Sequence, residues 1–368
     1  MTIERDGFDY AARLDRARAE LRKTGIDVLL ASVGADLPYL TGYEAMPLER
    51  LTMAVIPADG DAVLVVPELE APRVAVRDGV FSLRAWGETD DPVAIVAGLV
   101  GAPMRAAITD QTWSVFLLEL QTAMPATRFL SARPISAALR LRKEPAEVTR
   151  LRLAAEAVDR VAARLAQVRF SGRTEKSLSD QVAAMTVEEG SDVATFKIVA
   201  SGPNAASPHH QAAGRIIQTG DPVVVDFGGK VGGYCSDTTR TFHVGQPTAE
   251  YRRVYDVVRA AQEAGVAAAR PGVAAEAVDA AARRVIADAG YGAFFIHRLG
   301  HGIGLEAHED PYLVAGNTLA LQPGMAFSVE PGIYLPGRFG VRIEDIVVCT
   351  EDGAQRLNES TRQLVVVD

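Results

Sequence analysis

Five acid and imidazole side chains in the C-terminal half have the types and surroundings of a metal site. They are Asp226 in VVVDFGG, Asp237 in YCSDTTRTF, His301 in LGHGIGLEAHE, Glu330 in FSVEPGIY and Glu344 in GVRIEDIVV. Carboxylates set among valine, isoleucine and phenylalanine are costly to bury without compensating positive charge. Two divalent cations carry enough charge to offset all four acids. Taken singly, the acids have plainer explanations. Asp226 ahead of Gly228-Gly229 fits a turn or cap, Asp237 an N-cap or hydrogen-bonded turn, and Glu330 before Pro331-Gly332 a strand end. Only the combination reads as a dinuclear metal enzyme.

In Val341-Arg342-Ile343-Glu344 the two-residue period of a strand puts valine and isoleucine on one face and arginine and glutamate on the other. Glu344 therefore points away from the apolar packing, with Arg342 beside it as its expected supporting partner. One imidazole among four carboxylates is too rich in nitrogen for a calcium cage and lacks the thiolates of a structural zinc site. The set suits Mn²⁺, Co²⁺, Fe²⁺ or Zn²⁺; sequence does not choose among them, and Mn²⁺ is taken as the expected ion. Two such ions lower the pKa of water toward ~7, so hydrolysis of a stable bond such as an amide is the natural use. Gly300, Gly302 and Gly304 mimic a dinucleotide fingerprint but do not follow a strand within a βαβ unit. They are expected instead to let the backbone pass close to the metals.

The elements that must position these groups form two blocks, as 368 residues are too many for one ordinary core. In the first, DYAARLDRARAELRKTG has helical spacing ending on Gly25, while IDVLLAS, LTMAVIP and DAVLVVP read as apolar strands of a sheet covered on both faces. PELEAPRVAV and PVAIVAGLV are the expected covering helices. Pro134 and Pro145 bracket a basic stretch, and the boundary is placed near residue 136, giving domains 1–136 and 137–368. Pro145 opens a helix running to about Val168. Beyond it, EYRRVYDVVRAAQEAGVAAAR and AAEAVDAAARRVIADAG are helices by spacing. ATFKIVASG, DPVVVDFGG, TRTFHVG, GMAFSVEPGIY and GVRIEDIVV each read as a strand.

Bulk properties narrow the function classes. A net charge of −9 argues against a nucleic-acid surface. No apolar run approaches the ~20 residues needed to span a bilayer, and MTIERDGFDY has no secretory core. With only Cys235 and Cys349, a disulfide framework is not expected and a cytoplasmic location is. Cys235, close to Asp237, reads as an inert packed thiol.

Together VVVDFGG, SDTTRTF, GHGIGLEAHE, SVEPGIY and VRIED resemble, in order and spacing, the pita-bread metallopeptidases of the Xaa-Pro dipeptidase (prolidase) and Xaa-Pro aminopeptidase branch. The resemblance covers the whole chain and implies an α+β protein: a pita-bread catalytic domain behind a smaller creatinase-type α/β domain. It implies that Asp226 chelates one metal, that His301 and Glu330 hold the other, and that Asp237 and Glu344 bridge both. Glu330 is also the implied general base. His209, in SGPNAASPHH, matches a Pro-His motif near the scissile carbonyl, and His308 is implied in substrate binding and stabilisation of the tetrahedral intermediate. His210, His243 and His297 carry no such implication. A homodimer is implied by resemblance alone.

The expected activity is hydrolysis of Xaa-Pro dipeptides, with aminopeptidase action on longer Xaa-Pro peptides as the alternative. A metal-free creatinase-like amidinohydrolase and a non-catalytic peptide-binding module rank behind both, since all five ligands are present. One feature departs from the pattern. Between His308 and Glu330 there is no arginine or lysine, and Tyr312 sits at one position where some relatives carry arginine. A dipeptide's free carboxylate needs a cation, and Arg50 and Arg338 are the candidate replacements, although a solvated surface position would account for each. Phe196, Tyr234 and Tyr312 could wall the proline pocket, although core packing alone would account for each.

Overall fold

The computed structural model describes residues 7–368; the opening residues, read above for a secretory core, lie partly outside the described residues. The chain divides into two units, with the break between Arg140 and Leu141.

In the N-terminal unit, α1 (Tyr10–Thr24) begins at Asp9, whose carboxylate accepts from the Ala12 amide at 2.9 Å, and stops at Gly25, which takes a φ of 63°. There follow β1 (Val28–Ala31), α2 (Asp36–Thr41), β2 (Met53–Pro57), β3 (Ala62–Pro67), β4 (Phe81–Trp86), α3 (Pro92–Val100), β5 (Arg105–Ile108), α4 (Ser114–Ala123), β6 (Arg128–Ser131) and α5 (Arg133–Arg140). They build a six-stranded sheet in the order β4-β3-β2-β1-β5-β6, with β2 antiparallel to both neighbours and the remaining pairs parallel. The helix expected over PELEAPRVAV is only a single 3-10 turn, Ala71–Arg73. Pro72 has no amide proton to donate, and the branched Val74 is already extended. The boundary expected at residue 136 falls inside α5, which packs on α1 and so stays with the N-terminal unit to Arg140.

The C-terminal unit opens with α6 (Pro145–Leu165), where Glu144 and Glu147 form a reciprocal capping box, and continues with α7 (Glu175–Glu188). Then come β7 (Val193–Ser201), β8 (Pro222–Val231), β9 (Tyr234–Cys235), β10 (Thr238–Val244), α8 (Ala249–Ala268) and α9 (Ala275–Asp288). The chain closes with β11 (Gly300–Gly302), β12 (Glu309–Leu313), β13 (Ala326–Val329), β14 (Gly332–Leu335), β15 (Phe339–Arg342), β16 (Asp345–Thr350), β17 (Gly353–Arg356) and β18 (Val365–Val367). One sheet runs β18-β10-β8-β7 with β9 on β8; a second runs β12-β11-β13-β16-β17; β14 and β15 form a hairpin.

Each sheet carries one helix pair. Val158, Leu178 and Val182 of α6 and α7 pack on Val223, Val225 and Phe227 of β8. Val254, Val258, Val278 and Ala282 of α8 and α9 pack on Phe327, Val329 and Val347. Strand alternation then sends Asp226 and Ser328 to the faces turned away from the helices. No helix among the described residues is long and apolar enough to cross a membrane.

Two segments expected to be single strands are each broken in two, and the breaks hold Glu330 and Glu344. Pro331 cannot supply the ladder amide that would continue β13. After Arg342 the backbone changes partners: the Ile343 amide reaches the Pro331 carbonyl at 3.5 Å and the Glu344 amide reaches Thr239 at 3.2 Å. Both glutamates thus leave regular pairing where two sheets meet the hairpin.

Candidate metal centre

Asp226 lies mid-strand in β8, opposite Ile198 of β7 and Thr239 of β10, while Asp237 occupies the short connection between β9 and β10. His301 is the middle residue of β11 and pairs with Tyr312 of β12. These three, with Glu330 and Glu344, line one cavity of about 520 Å³, and His209 and His308 line it too. The five candidate ligands and these two histidines are therefore brought together.

Atoms able to ligate an ion fall into overlapping triads, all within 4.8 Å of one another: Asp226, Asp237 and Glu344; His301, Glu330 and Glu344; and Asp237, His301 and His308. The His301 Nε2 is 3.3 Å from Glu330 Oε1 and 3.7 Å from Asp237 Oδ2. Its Nδ1 lies 3.1 Å from the Gly302 carbonyl, so a proton assigned there leaves the Nε2 lone pair facing the acids. Burial, with His308 next in effect, pushes the imidazole down to about 3, so His301 is neutral near pH 7.

The acids show the opposite strain. Burial first, then the neighbouring carboxylates, raises Asp237 and Glu344 well above the usual range. Burial raises Glu330 to about 7 against the opposing pull of Arg342. Two oxygens, Asp226 Oδ1 and Glu344 Oε1, are buried without a hydrogen-bond partner, while the second oxygen of each is held, by Arg342 at 2.6 Å and by Thr239 at 2.7 Å. Free, oriented carboxylate oxygens around a neutral imidazole fit divalent cations on the chemistry of the donors alone.

Val341 and Ile343 enter the core beneath α8 and α9 while Arg342 and Glu344 line the cavity, as the two-residue period requires. Arg342, expected as a supporting partner of Glu344, acts on it electrostatically and pairs directly with Asp226, and it also donates to Thr239 Oγ1 and to Tyr334 Oη, both at 2.9 Å. The side chain is long enough to cross from β15 to β8, where a carboxylate oxygen offers a better acceptor than its own strand neighbour.

The glycines around His301 act differently from expectation. A Cβ on Gly300 would lie 1.9 Å from the Ser328 carbonyl oxygen, and one on Gly302 2.2 Å from that of Asp310. The close approach is therefore to the flanking strands. Gly300→Ala is expected to cost at least ~1–3 kcal/mol through overpacking, read by chemical denaturation, and to weaken metal retention by displacing His301.

Arg338 does not line the cavity; it is exposed and paired with Glu250 at 2.6 Å. Arg50, in the N-terminal unit, pairs with Glu49 at 2.6 Å and Glu88 at 3.2 Å. Tyr312 is not among the residues lining the cavity, and Arg298 lies over its ring. Phe196 does line the cavity, whereas Tyr234 is buried in packing and donates to Glu147 at 2.9 Å. His210 bonds Glu175 at 2.8 Å, and His243 the Gly245 carbonyl at 2.8 Å. His297 lines the cavity but is committed to Tyr334 Oη at 2.9 Å. Cys235 is buried and its thiol pushed up to about 12, which makes it a packed, unreactive group.

Arg298 is a charged cavity residue that none of the motifs marks. Its guanidinium lies 4.3 Å from the centroid of the Tyr312 ring. The available signal was position: it stands three residues before His301, outside the interval searched for a cation.

Residues 149–351 match the family described as metallopeptidase family M24, and residues 13–142 match the creatinase/prolidase N-terminal domain. The crystal structure of dipeptidase PepE from Mycobacterium ulcerans is similar with a TM-score of 0.92 and 46% identity, covering 98% of this chain and 99% of that one. A prolidase from Thermococcus sibiricus gives a TM-score of 0.93 at 36% identity, covering 98% and 100%. An Xaa-Pro dipeptidase from Lactobacillus delbrueckii subsp. lactis is 35% identical over 369 residues, covering 96% of this chain and 98% of that protein.

Proposed function

The chain belongs to metallopeptidase family M24, an exopeptidase with a creatinase-type domain ahead of its pita-bread domain, and on that premise we propose that it is a dinuclear Xaa-Pro dipeptidase. The observation that carries this reading is the pair of triads sharing Glu344, with two carboxylate oxygens buried and unpartnered. In this reading Asp226, Asp237, His301, Glu330 and Glu344 would hold the two ions. Mn²⁺ is the proposed ion, with Co²⁺, Zn²⁺ and Fe²⁺ compatible with the same donors. When bound, such a pair supplies Lewis acidity and makes hydroxide available near neutral pH.

The chain's own groups do the rest. Glu330 takes a proton as water adds to the scissile carbonyl carbon, and passes it to the imide nitrogen as the carbon–nitrogen bond breaks, releasing proline as a secondary amine. His308 and His209, exposed at the cavity wall, are placed to donate to the carbonyl oxygen as it gains charge. Burial, followed by Arg298, lowers His308, so at neutral pH it donates through a single neutral N–H. Phe196 and Ile198 offer apolar wall for the proline ring. A cytoplasmic homodimer is part of the proposal, in keeping with the two buried free thiols and with the family.

Steady-state assays of the Mn²⁺-loaded protein on Ala-Pro and Ala-Pro-Ala test the reading, and turnover of Ala-Pro in preference to the tripeptide is the expected result. Cleavage of the tripeptide alone would make the protein an Xaa-Pro aminopeptidase. Activity insensitive to chelator in a metal-free preparation would restore the amidinohydrolase reading, and silence on both substrates with metal bound would leave a peptide-binding module.

A further inference from the structure

We propose that Arg298, backed by Tyr312, binds the free C-terminal carboxylate of the substrate and so sets the preference for dipeptides. The inference rests on the dipeptidase reading and deepens it. A dipeptide brings a free carboxylate into a cavity already lined by Asp226, Asp237, Glu330 and Glu344. Of the two arginines lining that cavity, Arg342 is fully committed: its guanidinium is tied to Asp226, Thr239 and Tyr334. Arg298 makes no ion pair with a carboxylate among the described residues; its guanidinium is held only over the face of Tyr312, 4.3 Å from the ring centroid. It lies near enough to act electrostatically on His301, His308 and Glu330.

The backbone carrying Arg298 is strapped from both sides. Arg283 donates to the carbonyls of Phe295 and His297, both at 2.9 Å, and is itself paired with Asp279, which accepts from the Leu299 amide at 3.0 Å. His297 is fixed to Tyr334, which receives Arg342. With its guanidinium over the Tyr312 ring, Arg298 keeps a planar fork of N–H donors, the group that binds a carboxylate in a bidentate manner. A guanidinium ordered in advance by a ring gives up less freedom on binding than one in solvent. Tyr312 pairs with His301 across β11 and β12, so the anchor and a proposed metal ligand share one rigid register.

The test compares Ala-Pro, Ala-Pro-amide and Ala-Pro-Ala on the Mn²⁺-loaded enzyme and on Arg298→Ala and Arg298→Lys. In Arg298→Ala the KM for Ala-Pro is expected to rise about 10- to 150-fold, the value of a charged hydrogen-bonded pair, with kcat little changed. The preference for Ala-Pro over its amide should collapse by a similar factor, because the amide never used the charge. Arg298→Lys, which keeps the charge but not the fork, should fall between, and carries the same comparison if the alanine variant does not fold. Arg50→Ala and Arg338→Ala are assayed alongside. An unchanged Ala-Pro to amide ratio in Arg298→Ala overturns the inference, as does a rise in KM confined to Arg50→Ala or Arg338→Ala. If the unaltered enzyme cleaves no Xaa-Pro bond, the dipeptidase reading itself fails and takes the inference with it; if it cleaves Ala-Pro and Arg298→Ala keeps the ratio, only the anchor is wrong.

Discussion

Stripped of metal, the protein is expected to lose stability as pH rises from about 6.5 through about 7, and added Mn²⁺ is expected to restore most of it above that. The reason is the acid cluster. Glu330 is raised from 4.5 to about 7, and Asp237 and Glu344 are raised well above their usual values, burial being the largest cause in each. A carboxyl raised on folding holds its proton in the native state after the unfolded chain has lost it. Its stabilisation is complete below the unfolded value and is lost as pH climbs through the folded one. Each such proton is worth ~1.4 kcal/mol per pH unit, so two or three acting together give a steep slope. The histidines work the other way, but lower down. His301 at about 3 and His297 at about 4 are neutral in the native state and destabilise it only below 6.5, where the unfolded chain is protonated. Above that value they drop out and the acids act alone. Cations that replace the acid protons should remove the slope, because ligation requires the ionised carboxylates that the empty cluster resists. Melting curves of chelated and Mn²⁺-loaded protein across this range measure it. A metal-free stability that stays level or improves above pH 6.5 would mean the acids are compensated in some other way.

The groups that sequence made legible are those whose role is encoded locally. Asp226 at the end of a valine run and Glu344 opposite Val341 and Ile343 are fixed by strand alternation, which needs no knowledge of partners. The helix from Tyr10 is legible for the same reason, with its Asp9 cap and Gly25 stop. What escaped is set by distant segments. The strand breaks at Glu330 and Glu344 depend on where Pro331 and Thr239 lie in space, and a continuous apolar run conceals them. Arg342 is adjacent to Glu344 by pattern, yet it spends its charge on Asp226 of another strand. Arg298 has the same character: an arginine's meaning is its partner, and Tyr312 comes into reach only once β11 and β12 pair. The stretch from His308 to Glu330 has no cation, and the two that line the cavity, Arg298 and Arg342, lie on either side of it. The glycines followed a similar rule, since the atoms they make room for are carbonyls of neighbouring strands rather than anything within their own motif.

Glu330→Gln is expected to lower kcat for Ala-Pro by about 10²- to 10⁴-fold, the usual loss on removing a general base, with KM little altered. The amide keeps the shape and one oxygen donor of the carboxylate, so Ser328, 3.2 Å from Glu330 Oε1, and His301, at 3.3 Å, still have a neighbour of the same size. What it lacks is the ability to accept a proton and pass it on. Metal content measured on the purified variant separates lost proton transfer from lost ligation: a variant that still binds two ions and is slow has lost the base. The same substitution removes one of the acids whose raised value makes the metal-free protein pH-sensitive, so the loss of stability as pH rises through about 7 should shrink. Arg298→Ala makes the complementary case, raising KM while sparing kcat. The two effects should add in free energy if one residue serves the bond and the other the substrate's far end, and failure to add would show that both act on one shared geometry. A Glu330→Gln enzyme retaining kcat within about tenfold would rule Glu330 out as the base, because a positioned proton acceptor contributes more than that.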